Sequence, residues 1–190
     1  MSVRTAGPGD LGAVTGILAE AFLDGDLSGW LVPDRATRRT VYAGYFRIFA
    51  EFFLAHGLVE TTGDLDAVAL WWPVDQRLDL DIPGYDERLA TVCGPAVGRF
   101  VRLDLAMHNS HPTGRPHHYL AFLAVHPDRQ GEGLGSALLR HRHAHLDELG
   151  VPAYLEATNP RNRGLYERHG YRPREPIHIP DGPSMYPMWR

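Results

Sequence analysis

The chain has 190 residues, 44% hydrophobic and 22% charged, with one cysteine, 11 histidines and a formal net charge of −4. A chain of this length buries roughly 70% of its unfolded surface, so residues 1–190 are expected to form a single domain without disulfides or structural metal. Cys93 alone supplies neither a disulfide nor a zinc or redox pair. No apolar run reaches the roughly 18 residues of a membrane helix, and Met1-Ser2-Val3-Arg4 opens no signal peptide. A cytoplasmic protein without a membrane partner is therefore expected. All 19 basic residues are arginine, which excludes a Schiff-base lysine, a phosphate-loop lysine and a kinase strand lysine. The acidic balance argues against nucleic acid as a partner.

Taken in chain order, Val3-Arg4-Thr5-Ala6 reads as a short strand, and Asp10 as the N-cap of a helix over Leu11–Phe22. Asp34 caps a second, long helix to about His56, whose Tyr42, Tyr45, Phe46, Phe49, Phe52 and Phe53 form a broad apolar face that Gly57 ends. Leu58–Thr61 and Ala67–Trp72, around Thr62-Gly63-Asp64, read as a hairpin. Trp71 and Trp72 then point to opposite faces, one toward the core and the other toward an acceptor pocket. A helix is expected around Asp86–Val92 and another over Pro95–Asn109, broken by His111-Pro112-Thr113-Gly114. His118–Val125 is apolar on both alternating faces, as a central strand covered by helices requires. After it come a glycine-rich loop, a helix with Leu134, Leu138, Leu146 and Leu149 on one side, and a strand over Ala153–Ala157.

A glycine-rich loop between a buried strand and a helix start turns free backbone N–H groups and the positive helix end outward, which suits a phosphate. Gly135-Ser136 lacks the lysine of a phosphate-loop NTPase, and neither Gly131-x-Gly133 nor Gly133-x-Gly135 completes a dinucleotide fingerprint. What does fit is Gln130-x-x-Gly133-x-Gly135, followed by Tyr154-Leu-Glu-Ala-Thr-Asn-Pro-Arg-Asn-Arg-Gly-Leu-Tyr-Glu-Arg-His-Gly-Tyr171. Together these resemble the two signatures of the GCN5-related N-acetyltransferases (GNAT), over about residues 117–175. The tail from Glu156 to Gly170 and Ala67-Val-Ala-Leu-Trp71 look similar to puromycin N-acetyltransferase-like members, without carrying over puromycin as acceptor.

The resemblance implies an α/β (α+β) GNAT fold, with a mixed central sheet splayed at the acetyl-CoA site and flanked by helices. It implies acetyl-CoA as acetyl-donor cosubstrate, no metal, and direct transfer to a primary amine of a small molecule, antibiotic-like or aminonucleoside. A peptide N-acetyltransferase and a non-catalytic acyl-CoA-binding module are the alternatives, and monomer or homodimer stays open. Coenzyme contacts are implied for Leu123, Ala124 and Val125 on the strand. In the loop they are implied for Arg129, Gln130, Gly131, Glu132, Gly133, Leu134, Gly135 and Ser136, and beyond it for Asn159, Asn162 and Tyr166. A main-chain N–H near Val125 is implied as oxyanion donor. Tyr166 matches the family's general acid, with packing as its other reading. Glu156 is the first choice of base, because burial beside the thioester makes a carboxylate more basic; pairing with an arginine is its other reading, and His117 and His118 are second choices. Asn159-Pro160 also reads as a turn and helix cap, and Arg129 as a phosphate contact or a solvated residue. His141 and His145 lie a helical turn apart without a third metal ligand.

Overall fold

The computed structural model describes residues 2–190. In chain order the elements are β1 (Val3–Thr5), α1 (Leu11–Ala21), α2 (Asp26–Leu31), α3 (Arg35–His56), β2 (Leu58–Thr62), β3 (Ala67–Val74), α4 (Tyr85–Cys93), α5 (Val97–Ser110), β4 (His117–Val125), α6 (Leu134–Leu149), β5 (Ala153–Ala157), α7 (Pro160–Arg168), β6 (Arg172–Pro173), β7 (Ile177–His178) and β8 (Ser184–Trp189). One mixed sheet runs β1-β2-β3-β4-β5-β8-β6, with β7 beside β8. Among its pairings only β4–β5 is parallel. The α/β expectation and the sheet flanked by helices stand.

Alternation along β3 sends Val68 and Leu70 to one face, with α1, α3 and α5, and Ala67, Ala69 and Trp71 to the other, with α6. Both faces are dry, so β3 is apolar throughout. Trp71 is fully buried. Trp72 stacks on Phe52 at 5.1 Å instead of entering a pocket, because its strand face lies under the C-terminal end of α3.

Asp34 caps α3 as expected, accepting from the Thr37 N–H at 2.8 Å. Gly57 ends α3 without a left-handed backbone; at φ −105° it is there because a Cβ would meet the Phe53 ring at 2.9 Å and the Trp71 carbonyl at 3.2 Å. Asp10 bonds backward, to the Gly7 N–H and to Arg4, rather than into α1. Leu149 is exposed at 59%; the buried stripe of α6 is Leu134, Leu138, Leu139 and Leu146.

The link from α1 to α3, including the short α2, is held by Arg38. Its buried guanidinium donates to the carbonyls of Val32 at 2.7 Å, Leu23 at 2.8 Å and Pro33 at 3.0 Å. A buried charge satisfied by three carbonyls fixes the path of this link, which also buries Leu23, Leu31 and Val32.

Candidate active site

β4 and β5 pair only at His118–Ala153 and Tyr119–Tyr154. Beyond Tyr119 they diverge, so the sheet is splayed from Leu120 of β4 onward. In the same stretch Ala121 is an extra residue opposite β3, where the register shifts between Leu70 and Trp71. Such a bulge bends the strand locally. The His126 N–H donates to the Asp66 carbonyl at 2.8 Å. Antiparallel alternation therefore commits the backbone of Ala124 to β3 and turns the N–H groups of Leu123 and Val125 into the gap. Ala124, grouped with them in the sequence reading, has no N–H to offer there.

After a turn at Pro127–Arg129, Gly131 and Gly133 take φ of +87° and +80°, a left-handed backbone that glycine adopts freely, and Gly133 is the N-cap of α6. No side chain caps that helix, leaving the first-turn N–H groups of Leu134, Gly135 and Ser136 for an anion. Open space surrounds a Cβ built at Gly133, whereas one at Gly135 meets Val125, Leu123 and Leu165 at 3.6–3.8 Å. A Cβ at Gly135 would therefore make ordinary packing contacts, while Gly133 keeps the loop open. Arg129 is engaged by Asp66 and Glu132, tying the loop to the β2–β3 turn. Its guanidinium is thus ion-paired rather than simply solvated, with Glu132 as one partner. Gln130 folds back to the Val125 carbonyl at 3.3 Å, and Ser136 Oγ lies 3.0 Å from His169 Nε2.

Asn159 caps α7, accepting from the Asn162 N–H at 2.9 Å. That confirms its reading as a cap and presents Asn162 and Tyr166 to the gap. Tyr166 is 9% exposed. Its hydroxyl makes no hydrogen bond among the described residues, and burial pushes its pKa up, so the phenol stays protonated.

The Glu156 side chain is 1% exposed and meets a histidine, not an arginine: Oε1 lies 3.4 Å from His111 Nδ1. Both atoms, and the nearby Tyr154 hydroxyl, are buried without a hydrogen-bond partner. The tautomers follow from the next contacts. His117 Nδ1 lies 2.7 Å from the Arg115 carbonyl and so carries a proton. Its Nε2 then accepts from His111 Nε2 at 3.1 Å. A neutral His111 is left with a bare Nδ1 facing the carboxylate, and the pair has room for one proton between them. His117 therefore stands behind His111, while His118 accepts from Arg142 at 3.1 Å, its pKa lowered to about 4 by burial and by that arginine. Neither second-choice base reaches the cavity. His111, read from the sequence as part of a helix breaker, had no local signal of this role.

A cavity of about 390 Å³ extends from Asn159, Asn162 and Tyr166, past Glu156 and Leu123, into a box walled by α2, α3, α4, α5 and β4. Phe22, Phe46, Phe49 and Phe122 form a ring stack there, with centroids 5.2–6.0 Å apart. Cys93 is buried, its thiol pushed up to about 12 by desolvation, and is inert. His141 pairs with Glu60 at 2.9 Å.

Residues 93–173 match a family model described as Acetyltransferase (GNAT) domain. The solved histone acetyltransferase HPA2 and related acetyltransferase from Corynebacterium glutamicum superposes with a TM-score of 0.73 at 28% identity, over 99% of this chain and 94% of that one. Residues 93–173 therefore carry a GNAT acetyltransferase domain. Arylalkylamine N-acetyltransferase 2 from Aedes aegypti, at 11% identity and a TM-score of 0.63 over 100% of this chain and 97% of that one, shares the fold. Mycothiol acetyltransferase of Propionibacterium freudenreichii subsp. shermanii is 44% identical over 61 residues. That likeness spans 30% of this chain and 20% of the relative.

The open space at Gly133 sets an expected result for this GNAT domain. Gly133→Val places a β-branched side chain at a left-handed φ, in the loop where a pyrophosphate would lie. Coenzyme A affinity by calorimetry should fall at least about tenfold with the melting transition kept, given a strain of only about 1–3 kcal/mol. Unchanged affinity would move the phosphate site elsewhere.

Proposed function

We propose that the protein is an acetyl-CoA-dependent N-acetyltransferase that passes its acetyl group directly to a primary amine of a small molecule. The observation that carries this reading is the continuity of the β4–β5 gap with an aromatic-lined cavity. A peptide acceptor calls for a long open groove, whereas residues of α2, α3, α4 and α5 wall this cavity. A non-catalytic module has no need of Glu156 and Tyr166 on the same cavity wall.

The residues present fit the coenzyme: free N–H groups line the gap at Leu123 and Val125, and an uncapped helix start stands behind an open loop. The coenzyme supplies an activated thioester carbonyl when bound. Toward it the chain offers three actions. The Glu156–His111 pair accepts the proton that an ammonium must lose before it can attack. The Leu123 and Val125 N–H groups donate to developing negative charge on oxygen. The Tyr166 phenol holds a proton for the departing sulfur. No protein nucleophile is required.

The test is free-thiol release from acetyl-CoA across aminonucleosides, amino acids, polyamines and a peptide panel. Release with small amines and none with peptides is expected. Turnover confined to peptides would favour the protein-modifying reading, and coenzyme binding without release to any amine would favour the binding module.

A further inference from the structure

The catalytic residues leave one inner carboxylate of the cavity unused. Asp104 on α5 accepts from the Tyr85 hydroxyl of α4 at 2.9 Å and makes no ion pair among the described residues. Five carboxylates line the cavity, Asp24, Asp26, Asp79, Asp104 and Glu156, with neither arginine nor lysine among them. Asp24 is paired with Arg35, and Asp26 and Asp79 are exposed. That leaves Glu156 and Asp104 as the two inner acidic groups, with Tyr119 of β4 feeling both. The rings of Phe46, Phe49 and Phe122 line the same cavity.

We propose that Asp104 is the specificity-determining residue for the far end of the acceptor, and that the acceptor is a diamine on an apolar or aromatic skeleton. One amine reaches Glu156; the other, still protonated, sits at Asp104 among aromatic faces that favour a cation. A carboxylate at that end meets like charge with no guanidinium to receive it, so amino acids and similar acids are refused. Which amine reacts rests on the acetyl-transfer reading, but recognition at Asp104 does not.

The groups facing Asp104 are Tyr85, Asp86 and Cys93 from α4, Tyr45 from α3, Tyr119 from β4, and His108 one turn along α5. Burial, with a smaller push from Asp86, raises the Asp104 carboxyl to about 6, and the Tyr85 hydrogen bond holds it lower than burial alone would. Asp104 is thus ionised above that pH and neutral below it. Preference for a diamine grows as pH rises through about 6 and is lost as pH falls.

Three ligands of one shape test this by titration calorimetry on the whole chain: para-xylylenediamine, para-methylbenzylamine and para-(aminomethyl)benzoate. At neutral pH the diamine should bind at least about tenfold tighter than the methyl compound, with the benzoate weakest. Asp104→Asn should bring the diamine and the methyl compound within about threefold and flatten the pH dependence of their ratio. Equal weakening of both by Asp104→Asn, or a benzoate bound as tightly as the diamine, overturns the proposal. Should Asp104→Asn fail to fold, Tyr85→Phe carries the test: loss of the donated hydrogen bond must move the pH transition upward, and an unmoved transition overturns the proposal. Diamine preference without thiol release from acetyl-CoA would sink the transfer reading and leave this site standing. Thiol release without that preference would do the reverse.

Discussion

Tyr166→Phe should lower kcat by about 10²–10⁴-fold while the KM for acetyl-CoA stays within about threefold. The phenylalanine keeps the ring that packs against Tyr171 at a centroid distance of 5.8 Å. What it removes is a hydroxyl that makes no hydrogen bond among the described residues. Losing an unpartnered hydroxyl that faces the cavity costs the fold little. A melting temperature that holds beside a large loss of kcat is therefore the signature of an acid acting on the leaving sulfur. Equal kcat in both proteins, with chemistry shown to limit the rate, would assign Tyr166 to packing.

Glu156→Gln should lower kcat/KM by about 10²–10³-fold and remove its rise with pH on the acid side. The amide has the carboxylate's shape but takes up no proton. Its N–H₂ can also donate to the bare His111 Nδ1, 3.4 Å from Oε1 in the parent structure, so the substitution should leave the protein no less stable. That separates the outcomes. A Glu156 that only held its neighbours would show a fall in stability with the pH profile intact.

The stretch from β4 to α7 was legible because its signals are local: a strand apolar on both faces, glycines at a helix start, and Asn159 ahead of α7. The closing strands were not. β8 holds Pro187 and follows Pro176, Pro180 and Pro183, and proline suppresses the strand signal wherever it falls. The short α2, interrupted by Gly29, is too brief to carry a periodicity to read. At the site, Glu156 and Tyr166 were found from the motif that contains them, whereas His111 and Asp104 were not. Each of the latter two acquires meaning only from a distant element, β5 for His111 and α4 for Asp104, and no window along the chain brings those residues together. The pairing of Arg129 with Asp66, far upstream, is equally invisible in any such window.

The place of β8 has a kinetic consequence. It lies between β5 and β6 and pairs with β5 from Tyr154–Trp189 to Ala157–Tyr186. Until residues 184–189 have left the ribosome, one edge of β5 is bare, and a bare edge is a template for wrong pairing. Among the described residues β6 pairs with β8 alone, so the β5–β8–β6 edge waits on a loop closure that spans α7, and such a closure slows folding. The half of the sheet with β1 to β4 can assemble during synthesis, while the wall that carries Glu156 is finished by the last strand to arrive. In pulse-labelled refolding, amides of β5 and β8 should gain protection together, and later than those of β2 and β3.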